Sequence, residues 1–182
     1  MTNSNVGRIP ARQHLVLALA ATVVAASLFM PRPMNFAPLG AFGLFVGAYA
    51  PHRRAWAYPL LVLSAYVVLL GGYAWLVLAT VFLGFAGPAV MGTRWLENRV
   101  SLVRVGASAI ASSVWFFLVS NFGSWIVFGV PRDQSVVAHY LAGIPLFWNT
   151  LAGDLFFSTV LFGGYALVER VRRRETALRA HA

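Results

Sequence analysis

Apolar residues fall into six runs, at about 14–30, 37–52, 56–71, 73–92, 104–121 and 148–168, and the stretches between them hold most of the charge. A helix needs roughly 20 apolar residues to cross the hydrocarbon of a bilayer, with about 17 as the usual minimum. Each run is therefore expected to be a transmembrane helix, the short second and third borrowing flanking residues. The expected fold class is all-α: one transmembrane domain over 1–182, an integral membrane bundle of about six helices, with a basic tail at 169–182.

The connections supply the orientation. Arg8 and Arg12 precede the first run, Arg53 and Arg54 follow the second, and Arg94, Arg99 and Arg104 follow the fourth. Arg170, Arg172, Arg173, Arg174 and Arg179 follow the sixth, while the opposite side keeps Arg32 and Arg132. Basic residues are held in cytoplasmic loops, so this split implies an N-in/C-in, multi-pass arrangement in a cytoplasmic (inner) membrane. Arg8 and Arg12 ahead of an apolar stretch closing on Ala25, Ala26 and Ser27 also look like a signal peptide. That stretch exceeds the usual apolar length of about 7–15 residues, which favours a retained helix.

Two outer connections stand apart. PRPMNFAP at 31–38 carries three prolines, which fix backbone angles and stop the first helix before the second. The segment 121–147 is too long for a turn and reads as a Gly-punctuated apolar stretch, a polar tip at Arg132 and Asp133, and a return; it is expected to lie in the interface or fold back as a lid.

Composition agrees with lipid as the solvent: 59% of residues are hydrophobic, 10% are charged, and mean hydropathy is +0.73. Soluble domains carry about a quarter charged residues. The net charge of +9 does not point to nucleic acid, because the basic residues are short arginine clusters between apolar runs and not a stripe on a soluble fold. Cysteine is absent, so disulfides, thiolate metal sites and cysteine nucleophiles are excluded.

Asp154 is the only acid inside an apolar run. A charge there costs roughly 2.5–3.5 kcal/mol on insertion scales, so it should face a cavity or a partner, as a functional group or as a neutral or arginine-paired packing residue. Counted from Trp148, six residues at a rise of about 1.5 Å put it roughly 9 Å below the outer interface. Asn35, Asn121 and Arg32 are its expected neighbours at that depth. Asn149 lies about 140° away on the helical wheel and is not assumed to share a ligand. Asn35 is expected to cap the second helix or to bind a ligand. His139 and Tyr140 lie in the long outer segment without a second ligand at metal spacing, and His14, His52 and His181 mark cytoplasmic ends. No nucleophile, acid pair or metal cluster suggests an enzyme, and neither metal nor cofactor is expected. Small residues four apart, Ala21 and Ala25, Gly43 and Gly47, and Ala107 and Ala111, allow close helix approach. In the tail, Glu169 and Arg173, like Glu175 and Arg179, stand at ion-pair spacing on a helix.

The pieces PRPMNFAPLGAFGLFVGAY and IPLFWNTLAGDLFFSTVLFGGYAL resemble an uncharacterised family of small bacterial multi-pass membrane proteins, a domain of unknown function. That family is in turn distantly similar to the S components of energy-coupling factor vitamin transporters, six-helix proteins of about this size. The resemblance implies a protein in the lipid bilayer that captures a small solute at its outer face. Asp154, Asn149, Asn121 and Asn35 would be the polar contacts, and Trp125, Trp148 and Phe36 the apolar walls. It also implies that the Ala21/Ala25 face docks onto a coupling subunit. An ATP-hydrolysing partner would be required, since the chain has no phosphate-binding Gly-rich loop of its own. A structural or assembly protein docking partner helices is the second hypothesis, and a membrane enzyme the third.

Overall fold

The computed structural model describes residues 18, 19, 21, 22, 25, 31, 33–50, 57–70 and 74–180, the side chains of 65–70 and 180 excepted. Arg8, Arg12, Arg32, Arg53, Arg54, His14, His52, His181 and most of the first run lie outside these residues. Residues 18, 19, 21, 22 and 25 are helical, and among the described residues they are followed by α1 (Leu39–Tyr49), α2 (Ala57–Leu70), α3 (Trp75–Met91), α4 (Leu102–Ser124) and α5 (Val136–Ala180). A π-helical turn at Gly92–Leu96 prolongs α3, and a π-helical turn at Trp125–Gly129 with a 3-10 turn at Val130–Arg132 prolongs α4. Every regular element among the described residues is helical.

Among the described residues, three stretches are long and apolar enough to cross a membrane: Trp75–Leu96, Leu102–Arg132 and Val136–Arg179. Helix α1 is not one of them. Its 11 residues span roughly 17 Å at the usual rise, about half of the hydrocarbon. Pro38 precedes its first residue, and Ala50 ends it in the extended conformation that the following proline imposes. No residue of LGAFGLFVGAY is charged, and Gly40 through Ala48 are all buried. A helix that is apolar all round belongs inside a bundle, and α1 is the core about which the others pack.

The register of its neighbours gives their directions. Gly40 meets Asp154, Phe45 meets Phe162 and Tyr49 meets Tyr165, so α1 and α5 run parallel. Gly43 lies on Pro88 and Ala89, and Gly47 on Ala89, Gly92 and Thr93, so α1 and α3 run parallel too. Helix α4 is antiparallel to both α3 and α5: Gly84 meets Phe116 and Gly123 meets Thr80, while Asn121 meets Gly143 and Ser113 meets Asp154.

The largest departure from expectation is the segment 121–147, which is neither a lid nor a long connection. Helix α4 continues through Arg132 and α5 begins at Val136, twelve residues before the apolar run starting at Trp148. The residues that read as breakers are absorbed. Pro131 sits at the start of a 3-10 turn, where its missing N–H is no loss. Asp133 makes the reversal in the left-handed conformation (φ 53°). His139 packs its ring nitrogens 3.0 Å from Gln134 Oε1 and 3.2 Å from Ser124 Oγ, which pins the two helix ends together. Tyr140 donates to the Leu118 carbonyl.

Candidate functional site

The polar interior is built from two helices. Among the described residues, the buried polar side chains are Ser108, Ser112 and Ser113 on α4 and Thr150, Asp154 and Ser158 on α5. Thr150, Asp154 and Ser158 recur every four residues, which places them on one helical face; Ser108 and Ser112 do the same on α4. The antiparallel register that sets Ser112 against Asp154 brings Ser108 level with Ser158.

Asp154 is 2% exposed, and its carboxyl is held at three points. The backbone N–H of Ala41 donates to Oδ1 at 3.2 Å, Ser113 Oγ lies 2.7 Å from Oδ2, and Ser112 Oγ lies 3.4 Å from the same oxygen. Ala41 is in the first turn of α1, where helical N–H groups have no partner in their own helix. Pro38, the residue at the cap position, supplies no side-chain acceptor. Asp154 thus caps α1 from another helix, and the positive end of that helix faces the carboxyl. Gly40 is required at this approach, since a Cβ there would collide with the carboxylate.

The segment leading into α1 lies along α5 just before Asp154. Asn149 Nδ2 donates to the Met34 carbonyl at 3.0 Å. Gly153 lets the chain at Phe36 and Ala37 come within about 3.0–3.3 Å of where its Cβ would be. Phe36 stacks against Phe156 and Phe157, with ring centroids 5.9 and 5.5 Å apart. Phe36 and Asn149 therefore both engage the contact between this segment and α5 beside Asp154.

The remaining expected residues do not join them. Asn121 donates to its own helix at Phe117 O and packs on Gly143, eleven residues above Asp154. Trp125 donates to Gln134 O at the hairpin tip. Trp148 is 60% exposed. Asn35 neither caps α1 nor meets Asp154; it is exposed, with φ 64°, in the tight turn that Phe36 N closes onto Pro33 O. The partners of Asp154 are serines and a helix terminus in place of the asparagines expected. The apolar part of α5 runs from Val136 to Val168, and Asp154 stands within two residues of its middle, roughly 27 Å along the helix from its start.

Ala21 and Ala25 are exposed, while Leu19 packs against the core and near Gly164. Gly43 and Gly47 serve packing within the chain, as described above. Ala107 is exposed and Ala111 half-buried. The Glu169 and Arg173 pair of the tail stands at 4.0 Å. No group of three metal-ligating side chains occurs among the described residues.

The profile of the Family of unknown function (DUF6580) matches residues 9–177. The chain belongs to that family. No curated protein and no solved structure matches it.

Proposed function

We propose that this chain is a membrane-embedded transport protein that takes up a small solute from the outer side, with its binding centre at Asp154. The observation that carries this reading is the position of α1: a short helix, bounded at both ends, whose N-terminus stops on a carboxyl near the middle of a membrane-length helix. Irregular backbone at membrane depth survives only where protein or a cavity satisfies it. Transporters use such half-helix termini, near the bilayer midplane, to hold substrates and coupling ions. The 33–38 segment covers this centre from the side that the arginine distribution assigns to the outside, and Phe36 supplies an apolar wall.

An S-component-like role, with ATP-hydrolysing and coupling subunits, fits the absence of a nucleotide-binding loop in the sequence. The exposed Ala21 and Ala25 are then the docking face for the coupling subunit in the inner membrane. A thermal-shift screen of the purified protein against small metabolites tests the proposal, because a ligand that binds the folded state stabilises it by mass action. A stabilising solute should lose its effect in Asp154→Asn. A solute that stabilises the variant as much as the wild type would remove Asp154 from the binding centre.

The second reading, a structural or assembly protein, is favoured by one observation: every bond of the Asp154 carboxyl is internal. Under it, Asp154→Asn leaves partner association intact, and no solute stabilises either protein.

A further inference from the structure

The protons around Asp154 can be counted, and the count gives two complete arrangements. Ser113 Oγ lies 2.7 Å from Asp154 Oδ2 and 3.0 Å from the carbonyl of Ala109, four residues back on its own helix. A hydroxyl has one hydrogen to donate, and a carbonyl can only accept. Helical Ser and Thr in this chain habitually donate to the carbonyl four residues back, as Ser64, Thr93, Ser120, Thr150 and Thr159 do. If Ser113 does likewise, its short contact with Asp154 requires the hydrogen to lie on the acid, so that Oδ2–H donates to Ser113 Oγ. If the acid is ionised, the Ser113 hydroxyl turns from Ala109 O to Oδ2. Ser112 and the Ala41 N–H then complete the donors around the carboxylate, at the positive end of α1. The same heavy-atom positions satisfy both states.

A second observation extends the site. Ser158, one turn beyond Asp154 and 1% exposed, has a hydroxyl with no hydrogen-bond partner. Buried polar atoms without partners are uncommon, and this one stands level with Ser108, also buried. Both lie on the side of Asp154 that leads toward Arg104 and Glu169. The faces packed on the carboxyl are Gly40 and Ala41 of α1, Ser112 and Ser113 of α4, and the segment leading into α1. None carries a titratable side chain among the described residues, and on α5 itself the next ones, Tyr165 and Glu169, are three turns or more away.

We infer that Asp154 is a reversible proton-binding site, in which one proton binds to and leaves its Oδ2 while the Ser113 hydroxyl switches acceptor between Ala109 O and that oxygen. Nothing is oxidised or reduced; the proton leaves as hydronium and the carboxylate remains. This assigns the coupling ion of the proposed binding centre and rests on that reading. A fixed metal cation is disfavoured by the N–H of Ala41 and the positive helix end directed at the same carboxyl.

Infrared difference spectroscopy on the full-length protein in lipid tests the inference. A protonated-carboxyl band should disappear reversibly as pH rises. It should be absent from Asp154→Asn and displaced in frequency in Ser113→Ala, which keeps the acid and guards against misfolding of the first variant. A band indifferent to pH, no band dependent on Asp154, or a band abolished by sodium at constant pH would each overturn the site. The two proposals fail separately: a stabilising solute without a titrating band keeps the binding centre and removes the proton, whereas a titrating band with no stabilising solute keeps the proton site and removes the solute.

Discussion

Helix α1 is buried in two different ways on its two sides. Toward α3 it presents Gly43 and Gly47 to Pro88, Ala89, Gly92 and Thr93, and the backbones touch because side chains are missing. Toward α4 and α5 it presents its N-terminus to a carboxyl and two hydroxyls, and lower down the ring of Phe45 to Phe162 and Tyr165, at 5.3 and 5.9 Å. The first side is a seam of shape alone; the second holds hydrogen-bonding groups that can rearrange. In lipid, helices gain little from burying apolar surface against one another, so close packing and internal hydrogen bonds must do the joining. This chain separates the two means across one short helix. The seam suits permanent attachment, and the polar side suits a centre that changes state.

The seam should be the less forgiving side. A Cβ at Gly47 would collide with the Ala89 carbonyl, and one at Gly92 with the Leu44 carbonyl, so backbone would have to move against backbone. Gly47→Ala and Gly92→Ala should each cost at least the ~1–3 kcal/mol typical of overpacking, read as a lowered melting temperature or loss of folded protein in detergent. Gly106→Ala is the control. Its Cβ would meet nothing within 4 Å, and alanine is the better helix former by about 1 kcal/mol, so that variant should melt no lower than wild type. Equal effects at Gly47 and Gly106 would dissolve the distinction between the two sides.

The polar side should respond to chemistry before volume. Asp154→Ala leaves the Ala41 N–H without its acceptor and removes the partner of Ser112, at a cost of about 1–3 kcal/mol for the orphaned group. Asp154→Asn keeps an acceptor oxygen for Ala41 and should stay within about 1 kcal/mol of wild type in the same melt. If the two variants melt alike, the cap on α1 is not what holds the acid in place. Gly153→Ala comes next in size. Its Cβ would lie 3.0 Å from Ala37 N, so the segment leading into α1 must shift by a few tenths of an ångström, and any solute-induced stabilisation should weaken with only a modest fall in melting temperature.

The apolar runs announce all three membrane-length helices, and they announce that Asp154 is unusual; both follow from the cost of charge in hydrocarbon. The helix ends were much less legible. Gly129, Pro131 and Pro145 carry the ordinary signals of a loop, but Pro131 occupies a helix start and Pro145 lies inside α5. The buried polar residues were present in the pattern as Ser108 and Ser112, and as Thr150, Asp154 and Ser158, each at four-residue spacing, with the Asp154 partner Ser113 beside Ser112. They drew no attention because a helical hydroxyl can satisfy itself on the carbonyl one turn back, so burying it costs little and leaves no trace in hydropathy. The cap on α1 was unreadable for another reason: its donor is a backbone N–H, and the proline at the cap position gives no sign that an acceptor is coming from 113 residues away.

The smallest effect is expected at Asn149, and it bears on whether the segment before α1 belongs to the seam or to the changeable side. Its Nδ2 donates to the Met34 carbonyl, a bond between α5 and an exposed turn. A neutral hydrogen bond contributes about 0.5–1.5 kcal/mol net, and at this exposed position water can replace the lost donor, so Asn149→Ala should lie at the low end of that range. Stability alone will barely register the change. Amide hydrogen exchange will register more, because local opening is governed by the few bonds that hold a segment down. If the segment belongs to a binding centre, exchange at 34–37 should speed up in the variant while the amides of Phe45 and Val46, in the middle of α1, keep their wild-type protection. Faster exchange throughout α1 would mean that the turn and the helix open as one unit, and the segment would then be part of the permanent packing.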